Sequence, residues 1–445
     1  MSTTVHDVRT SAEAPLTLAE PAAPTLGMRE TAGLFGNLGI SLLLPVAAAF
    51  VVLPGRPLPT TVLAIVVGAV LGALLLGLTA APSARERVPA MVLLRGLLGR
   101  RASALPTVVN LVQCVGWATF EIVIIAEAAS RALDLPREPF VLVAGVLATL
   151  MAVRPLGAVR VLARYAVWVA VAATAYLFVR VLSEPLPEVT EGGAASFWTA
   201  VDVVIALPVS WFPLAGDYTR HARSPRAALV GSALGYGAAT IAFFTLGVLA
   251  LSAYGASGVD VVDALLAVPL GLLAVLVLVV VEVDEVFANV YSTAVSAQNL
   301  ATRLDRRVLA VAVGVVATLL ALTFDIAAYE PFLFLIGAVF VPLAGILVVA
   351  YYLVPRGAWD VSDTAPARPL LLLPWAAGFV AYQLTLPTYF EGPGSGWTAW
   401  WAERQADLGI PATNGLSASL VSLTVATVLT ALVTVPSAVR SRSRG

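Results

Sequence analysis

The sequence predicts an all-α polytopic membrane protein of about twelve transmembrane helices, on three observations. Hydrophobic residues make up 59% of its 445 positions and charged residues 12%, with a mean hydropathy of +0.92, far from the composition of a soluble globular chain. Apolar runs recur at about the 20-residue length that a helix needs to cross a bilayer. Arginine alternates loop by loop between rich and poor, as it would not if a crossing had been missed or invented.

Residues 1–29, rich in Ala, Pro, Glu and Thr, lack the basic start and apolar core of a signal peptide and read as a disordered tail. Helices are expected at about 33–53, 58–80, 104–130, 139–153, 161–182, 197–216, 227–253, 268–298, 307–324, 329–354, 369–387 and 416–438. All 26 basic residues are Arg, and 21 of them fall in the tails or in segments 81–103, 154–164, 220–226, 303–307 and 356–368. Only Arg56, Arg131, Arg137, Arg180 and Arg404 fall on the opposite side. Both termini are therefore expected to be cytoplasmic, in the cell's inner (plasma) membrane. The net charge of −1 gives no reason to expect nucleic acid as a partner.

The eighth helix carries Glu282, Asp284 and Glu285 near the middle of an apolar run. A carboxylate at the bilayer centre costs about 2.5–3.5 kcal/mol, so three are tolerated only where they face protein, water or a cation. Glu282, Glu285, Asn289, Ser292 and Ser296 follow three-and-four spacing, while Asp284 points to another face. On the third helix Asn110, Gln113, Trp117 and Glu121 share one face. Trp117 offers a flat stacking surface and Glu121 a carboxylate that can accept two parallel hydrogen bonds.

The first helix, GLFGNLGISLLLPVAAAF, contains Gly36, Gly39 and Pro45; the sixth, ALPVSWFPLAGDY, contains Pro208, Pro213 and Gly216. Such residues interrupt helices and free backbone groups at mid-membrane, and paired interruptions five helices apart point to an inverted-repeat secondary transporter. Exposed carbonyls of the first helix together with Asp284 would suit a monovalent cation, and sodium or proton coupling is open from the same residues. Cys114 is the single cysteine, in an apolar stretch, and His6 and His221 are peripheral, so neither a zinc site nor a histidine relay is supported. No cofactor beyond the coupling ion is expected, and an intramembrane enzyme lacks its constellation. A channel would need a continuous polar pore, and a substrate sensor without transport stays open.

Four stretches, GNLGISLLLP, MVLLRGLLGRRASALPTVVNLVQCVGW, PVSWFPLAGDYTRHAR and DEVFANVYSTAVSAQNL, resemble the purine–cytosine permeases of the nucleobase:cation symporter-1 family over about residues 28–355. The resemblance implies a leucine-transporter-type five-plus-five inverted repeat plus two extra helices. It divides the chain into a first repeat (30–182), a second (197–354), helices eleven and twelve (369–438) and a terminal tail (439–445). It implies import of a small planar heterocycle, with Trp117, Glu121, Trp211 and Asn289 binding the substrate, Ser210 beside the sixth-helix break, and Gly39, Leu43 and Asp284 coupling the cation. Gln113, from the stripe on the third helix, is expected to join the substrate residues and Glu285 the coupling residues, in a monomer. Sodium, if it is the ion, would sit at Gly39, Leu43 and Asp284. Two departures stand out: Val283 and Asp284 where sodium-coupled relatives often carry hydroxyls, and Glu121 where an amide is familiar. A carboxylate suits an aminopyrimidine edge, favouring cytosine or a hydroxymethylpyrimidine over uracil, hydantoin, allantoin or a purine.

Overall fold

The computed structural model describes residues 17–18, 22–153, 167–190, 193–255, 260–354 and 358–442. Among them the chain is helical, and its extended pairing is a single bridge between Leu26 and Ala222. Five helices are long and apolar enough to cross a membrane by length and composition: Leu58–Glu86, Ala104–Leu133, Phe197–Thr219, Pro225–Tyr254 and Ile326–Leu353. Shorter apolar helices cover Glu138–Val153, Trp168–Leu182, Pro369–Thr385 and Ala418–Thr434. Large apolar side chains such as Leu142, Val146, Leu150, Trp168, Val308 and Leu319 point outward, as they do on helices that face lipid.

The first expected helix is split into α1 (Met28–Asn37) and α2 (Leu43–Ala47). It is followed by α3 (Leu58–Glu86), α4 (Ala90–Leu98), α5 (Ala104–Leu133), α6 (Glu138–Val153) and α7 (Val167–Leu182). The sixth expected helix forms α8 (Phe197–Ser210) and α9 (Phe212–Thr219), which abut at Trp211. Then come α10 (Pro225–Tyr254), α11 (Val261–Ala267), α12 (Gly271–Ala297), α13 (Arg306–Ala321) and α14 (Tyr329–Val348). The chain closes with α15 (Leu372–Thr385), α16 (Ser395–Asp407) and α17 (Ala418–Arg442). The start of the expected fifth helix, 161–166, lies outside the described residues.

Helix α1 packs on α10, and helices five places apart in the membrane order pack together: α3 on α10, α5 on α12, and α6 on α13. The last crossing is reciprocal. A Cβ added at Gly145 would fall 2.0 Å from Thr318 Oγ1, and one at Gly314 would fall 1.9 Å from Thr149 Oγ1. Each threonine hydroxyl donates to the glycine carbonyl of its own helix at 2.7 Å. GVLAT in α6 and GVVAT in α13 are thus matched small-residue contacts of the kind that lets membrane helices approach closely, as an approximate twofold relation between them requires.

Two expectations are corrected at the Arg-rich end. Segment 81–103, expected as a loop, contains the last turns of α3 and all of α4, whose nine residues are buried. Trp359 Nε1 donates to Leu93 O at 2.9 Å, and Arg95 donates to Asn299 Oδ1 at 2.7 Å and Asp363 Oδ1 at 2.8 Å. Charge in this segment therefore marks a tightly pinned helix rather than a solvated turn. The tail is ordered from residue 22: Thr25 and Leu26 N–H donate to His221 O at 2.9 Å, and Arg223 N–H to Leu26 O at 2.7 Å. Burial and neighbouring Arg220 push the His221 imidazole down to about 4, so it is neutral and its Nδ1 can donate to Ala23 O, 3.1 Å away. Residues 1–16 of the expected tail lie outside the described residues.

Helices α15 and α17 pack on each other and on α14. Asp202, in the middle of apolar α8, reaches across to cap α17: it accepts from Ser417 Oγ at 2.6 Å, Ala418 N at 2.8 Å and Ser419 N at 3.1 Å. These are amides that the helix start cannot satisfy itself and that lipid cannot satisfy either. Asp202→Ala should therefore lower the apparent unfolding temperature of the detergent-solubilised protein, reflecting a loss of about 2 kcal/mol or more. Asp202→Asn, which keeps one acceptor, should lose less; melting curves that match wild type for both variants would show that the cap contributes nothing.

Candidate functional site

Both helix breaks are braced by side chains from elsewhere in the bundle. At the first, Glu282 Oε2 accepts the Leu42 N–H at 2.6 Å and Glu282 Oε1 the Ser41 hydroxyl at 2.7 Å, while Ser41 Oγ accepts the Leu43 N–H at 3.1 Å. One carboxylate thereby satisfies the free start of α2 and sits against its positive dipole end. Asp284, on the same helix, accepts a short hydrogen bond from Asn37 Nδ2 at the end of α1. Spacing placed Glu282 on the stripe with Asn289, but the structure turns it to the break beside Asp284. The broken helix wraps far enough around α12 for both acids to reach it.

At the second break, Pro213 has no N–H, and Leu214 N–H donates to Trp211 O at 3.0 Å instead of one turn further back. Ser210 O is left over, and Gln113 Nε2 takes it at 2.8 Å while also donating to Asn110 Oδ1 at 3.2 Å. Gln113, expected among the substrate ligands, is thus a brace behind the site.

Between the breaks lies an enclosed cavity. It is lined by Ser41, Leu43 and Leu44 from the first break, Trp117 and Glu121 from α5, and Leu207, Ser210, Trp211 and Leu214 around the second break. Tyr236 of α10 and Glu285 and Asn289 of α12 complete it. Side chains close it to a cleft with room for about one water molecule, so a ring fits only after the lining residues move apart.

Asn289 Nδ2 donates to Glu121 Oε1 at 2.9 Å. Glu121 Oε2, Glu285 Oε1 and Trp117 Nε1 are buried without a hydrogen-bond partner in the protein. Buried polar atoms are rarely left so unless a ligand or water meets them. Trp117 stands edge-on to Tyr329 and Phe332, with centroids 5.9 and 5.2 Å away, and Trp211 is tilted against Tyr236 at 5.8 Å.

Five expected substrate residues, Trp117, Glu121, Ser210, Trp211 and Asn289, therefore surround one space. Glu285, expected to couple the cation, lines that space instead. Leu43 also lines it, and its carbonyl accepts from Tyr329 OH at 3.4 Å. Gly39 is where α1 and α2 part against α10; a Cβ there would lie 2.5 Å from Ala239 Cβ. The hydrogen bond of Asp284 goes to Asn37 rather than to the Gly39 or Leu43 backbone, and Asp284 Oδ1 and Asn37 Oδ1 are both buried without partners. Sequence reading missed Glu282 as the cap and Tyr236 as a wall. The first was visible as an acid but its direction was not, and the second lies on a helix with no polar stripe.

Toward the Arg-rich end the cavity is shut by polar ties. Asn110 Nδ2 donates to Ser296 Oγ and Asn299 Nδ2 to Thr107 Oγ1, both at 2.9 Å. Tyr218 OH donates to Ala288 O at 3.2 Å, Asp217 Oδ1 accepts the Ala90 N–H at 3.2 Å, and Arg220 Nη2 lies 3.4 Å from Tyr291 OH. At the opposite end Glu127 pairs with Arg137 at 3.0 Å and Arg131 at 3.7 Å.

A cavity between two broken helices, inside a bundle of apolar spans and tied shut toward the Arg-rich end, is the arrangement of a membrane permease. Residues 46–369 match the family described as permeases for cytosine/purines, uracil, thiamine and allantoin, and the chain belongs to that family. No curated protein matches the sequence. Among solved structures it is similar to Mhp1, a nucleobase-cation-symport-1 family transporter in a closed conformation with bromovinylhydantoin bound. Identity there is 18% over 98% of this chain and 96% of that one, with a TM-score of 0.72. Inward-facing Mhp1 also matches at 18% identity, over 92% and 94% of the two chains, TM-score 0.67. A substrate-bound, outward-open sodium-coupled sialic acid symporter matches at 10% identity over 92% and 91%, TM-score 0.61. These likenesses bear out the leucine-transporter-type fold.

Trp117→Ala and Trp211→Ala should each weaken binding of a ring ligand by at least about 1 kcal/mol, as for stacked bases elsewhere. Titration calorimetry with the tightest binder from a nucleobase panel checks this, and unchanged affinity in both variants would rule out stacking between them.

Proposed function

We propose that this permease imports a nucleobase-like planar heterocycle, cytosine or a hydroxymethylpyrimidine, by symport with sodium or a proton through alternating access. The observation that carries the reading is the enclosed cavity in which Trp117, Trp211, Glu121 and Asn289 meet between the two helix breaks. Tryptophan faces supply stacking, and the Glu121–Asn289 pair supplies an edge of acceptors for an exocyclic amine and a ring N–H. Residues 30–182 and 197–354 act as the two inverted repeats, with 369–438 outside them, in a monomer whose termini are both cytoplasmic in the plasma membrane. A hydantoin is the second reading, favoured by the bromovinylhydantoin bound to Mhp1.

Coupling is assigned to Asp284, which stands at the end of α1 with one free oxygen. A positive charge moving inward through 100 mV gains about 2.3 kcal/mol, enough for about fifty-fold accumulation. In proteoliposomes, Asp284→Asn should lose concentrative uptake and ion-stimulated binding while keeping ion-independent binding. Wild-type affinity should rise with sodium at fixed pH if sodium is the ion, and uptake should follow the pH gradient alone if it is a proton. Wild-type accumulation by Asp284→Asn, with ion dependence intact, would remove Asp284 from coupling. Counterflow of labelled substrate separates a carrier from a sensor, because only a carrier exchanges it.

Glu121→Gln places a donor where the carboxylate only accepts, so it should reorder affinities across cytosine, uracil and aminopyrimidines more than it lowers thermal stability. The same binding panel on both proteins reads this, and an unchanged order would exclude Glu121 from edge recognition.

A further inference from the structure

The cavity is unbalanced in charge. Glu121 and Glu285 are each 3% exposed and both line it, and each keeps one oxygen that accepts nothing from the protein. No Arg or His stands in its wall, and the chain has no Lys. The dipole of the second half-helix is not available to a ligand either, because Glu282 occupies its first amide and its serine. Asn289, the wall's amide donor, already gives its N–H groups to Glu121 Oε1 and Glu285 O. Trp117 Nε1 is the one buried donor in the wall without an acceptor.

Two like carboxylates taken out of water repel each other and lose their hydration, and an uncompensated buried charge is costly. A neutral ring with N–H donors replaces some of the lost hydrogen bonds but leaves the two carboxylates without a counter-charge, and an anion adds a third like charge. A cation answers both carboxylates at once, and hydrogen bonds between charged partners are about twice as strong as neutral ones. Tryptophan faces on α5 and at the second break favour a positively charged ring as well.

Taking the cavity as the substrate site, as above, we propose that its substrate binds as a planar heteroaromatic cation, with N–H donors on two edges, one toward Glu121 and one toward Glu285. Glu121 and Glu285 act as a two-sided clamp, and Trp117 Nε1 is free for an acceptor on the ring. Anionic heterocycles are excluded by the same arrangement.

The test uses the purified full chain and two rings of one shape: para-aminopyridine, a cation at neutral pH with donors at both ends, and aniline, its neutral isostere. Calorimetric titration should show the cation binding at least about tenfold more tightly. Glu121→Gln and Glu285→Gln should each cut that preference to about threefold or less, while Trp117→Ala should weaken both probes. The wild-type comparison stands without any variant, and melting curves check that the glutamine variants fold. Equal binding of the two probes, or tighter binding of aniline, overturns the cation clamp; if both still depend on Trp117, the cavity remains the binding site. Binding of cytosine with neither probe overturns the clamp as well, since a neutral ring then suffices. If cytosine and both probes all fail to bind, the cavity reading falls together with the clamp.

Discussion

Glu282 holding the start of α2 is the contact on which the site depends. Breaking a helix inside a bilayer leaves amides and carbonyls that neither lipid nor the helix can satisfy. The first break persists because a carboxylate from α12 accepts both the Leu42 N–H and the Ser41 hydroxyl. Gln113 does the corresponding work at the second break by taking Ser210 O, and Asp202 does it for the start of α17. In each case a polar side chain from a helix distant in sequence completes a helix end, so part of the cost of burying it is offset by backbone groups that would otherwise go unsatisfied.

This arrangement ties the cavity to the scaffold. Glu282 and Asp284 hold the two halves of the broken first helix, and Glu285 and Asn289, farther along the same helix, form a wall of the cavity. A change in the protonation or ion occupancy of the first pair acts on the same rigid helix that presents the second. Asn110, Asn299 and Arg95 continue the polar contacts to the Arg-rich end, where α4 is pinned by Trp359 and Asp363. Moving the gate thus means exchanging specific hydrogen bonds, which suits discrete states better than gradual deformation.

The spans were legible because hydropathy and arginine position report the solvent each segment meets, and helix in lipid has few alternatives. Both breaks were legible because Gly and Pro act locally. Trp117 and Glu121 could be paired from three-and-four spacing on one helix. The spacing could not say that Gln113 would be drawn behind the site by Ser210 O, nor that Glu282 would leave the stripe for the break. Those outcomes depend on where a second helix places its free backbone groups. Segment 81–103 was misread for a related reason: Arg95 looks solvated until Asn299 and Asp363 are brought beside it.

By itself the sequence determined the class of molecule, the breaks and the residues able to carry recognition, since apolar length, helix-breaking residues and helical periodicity are local properties. The tertiary structure alone decided which of the three acids on α12 caps a helix, which meets Asn37 and which faces the cavity. Each carboxylate's role is fixed by the partner opposite it, and those partners lie more than 150 residues away or, for Glu285, are only the walls of the cavity itself.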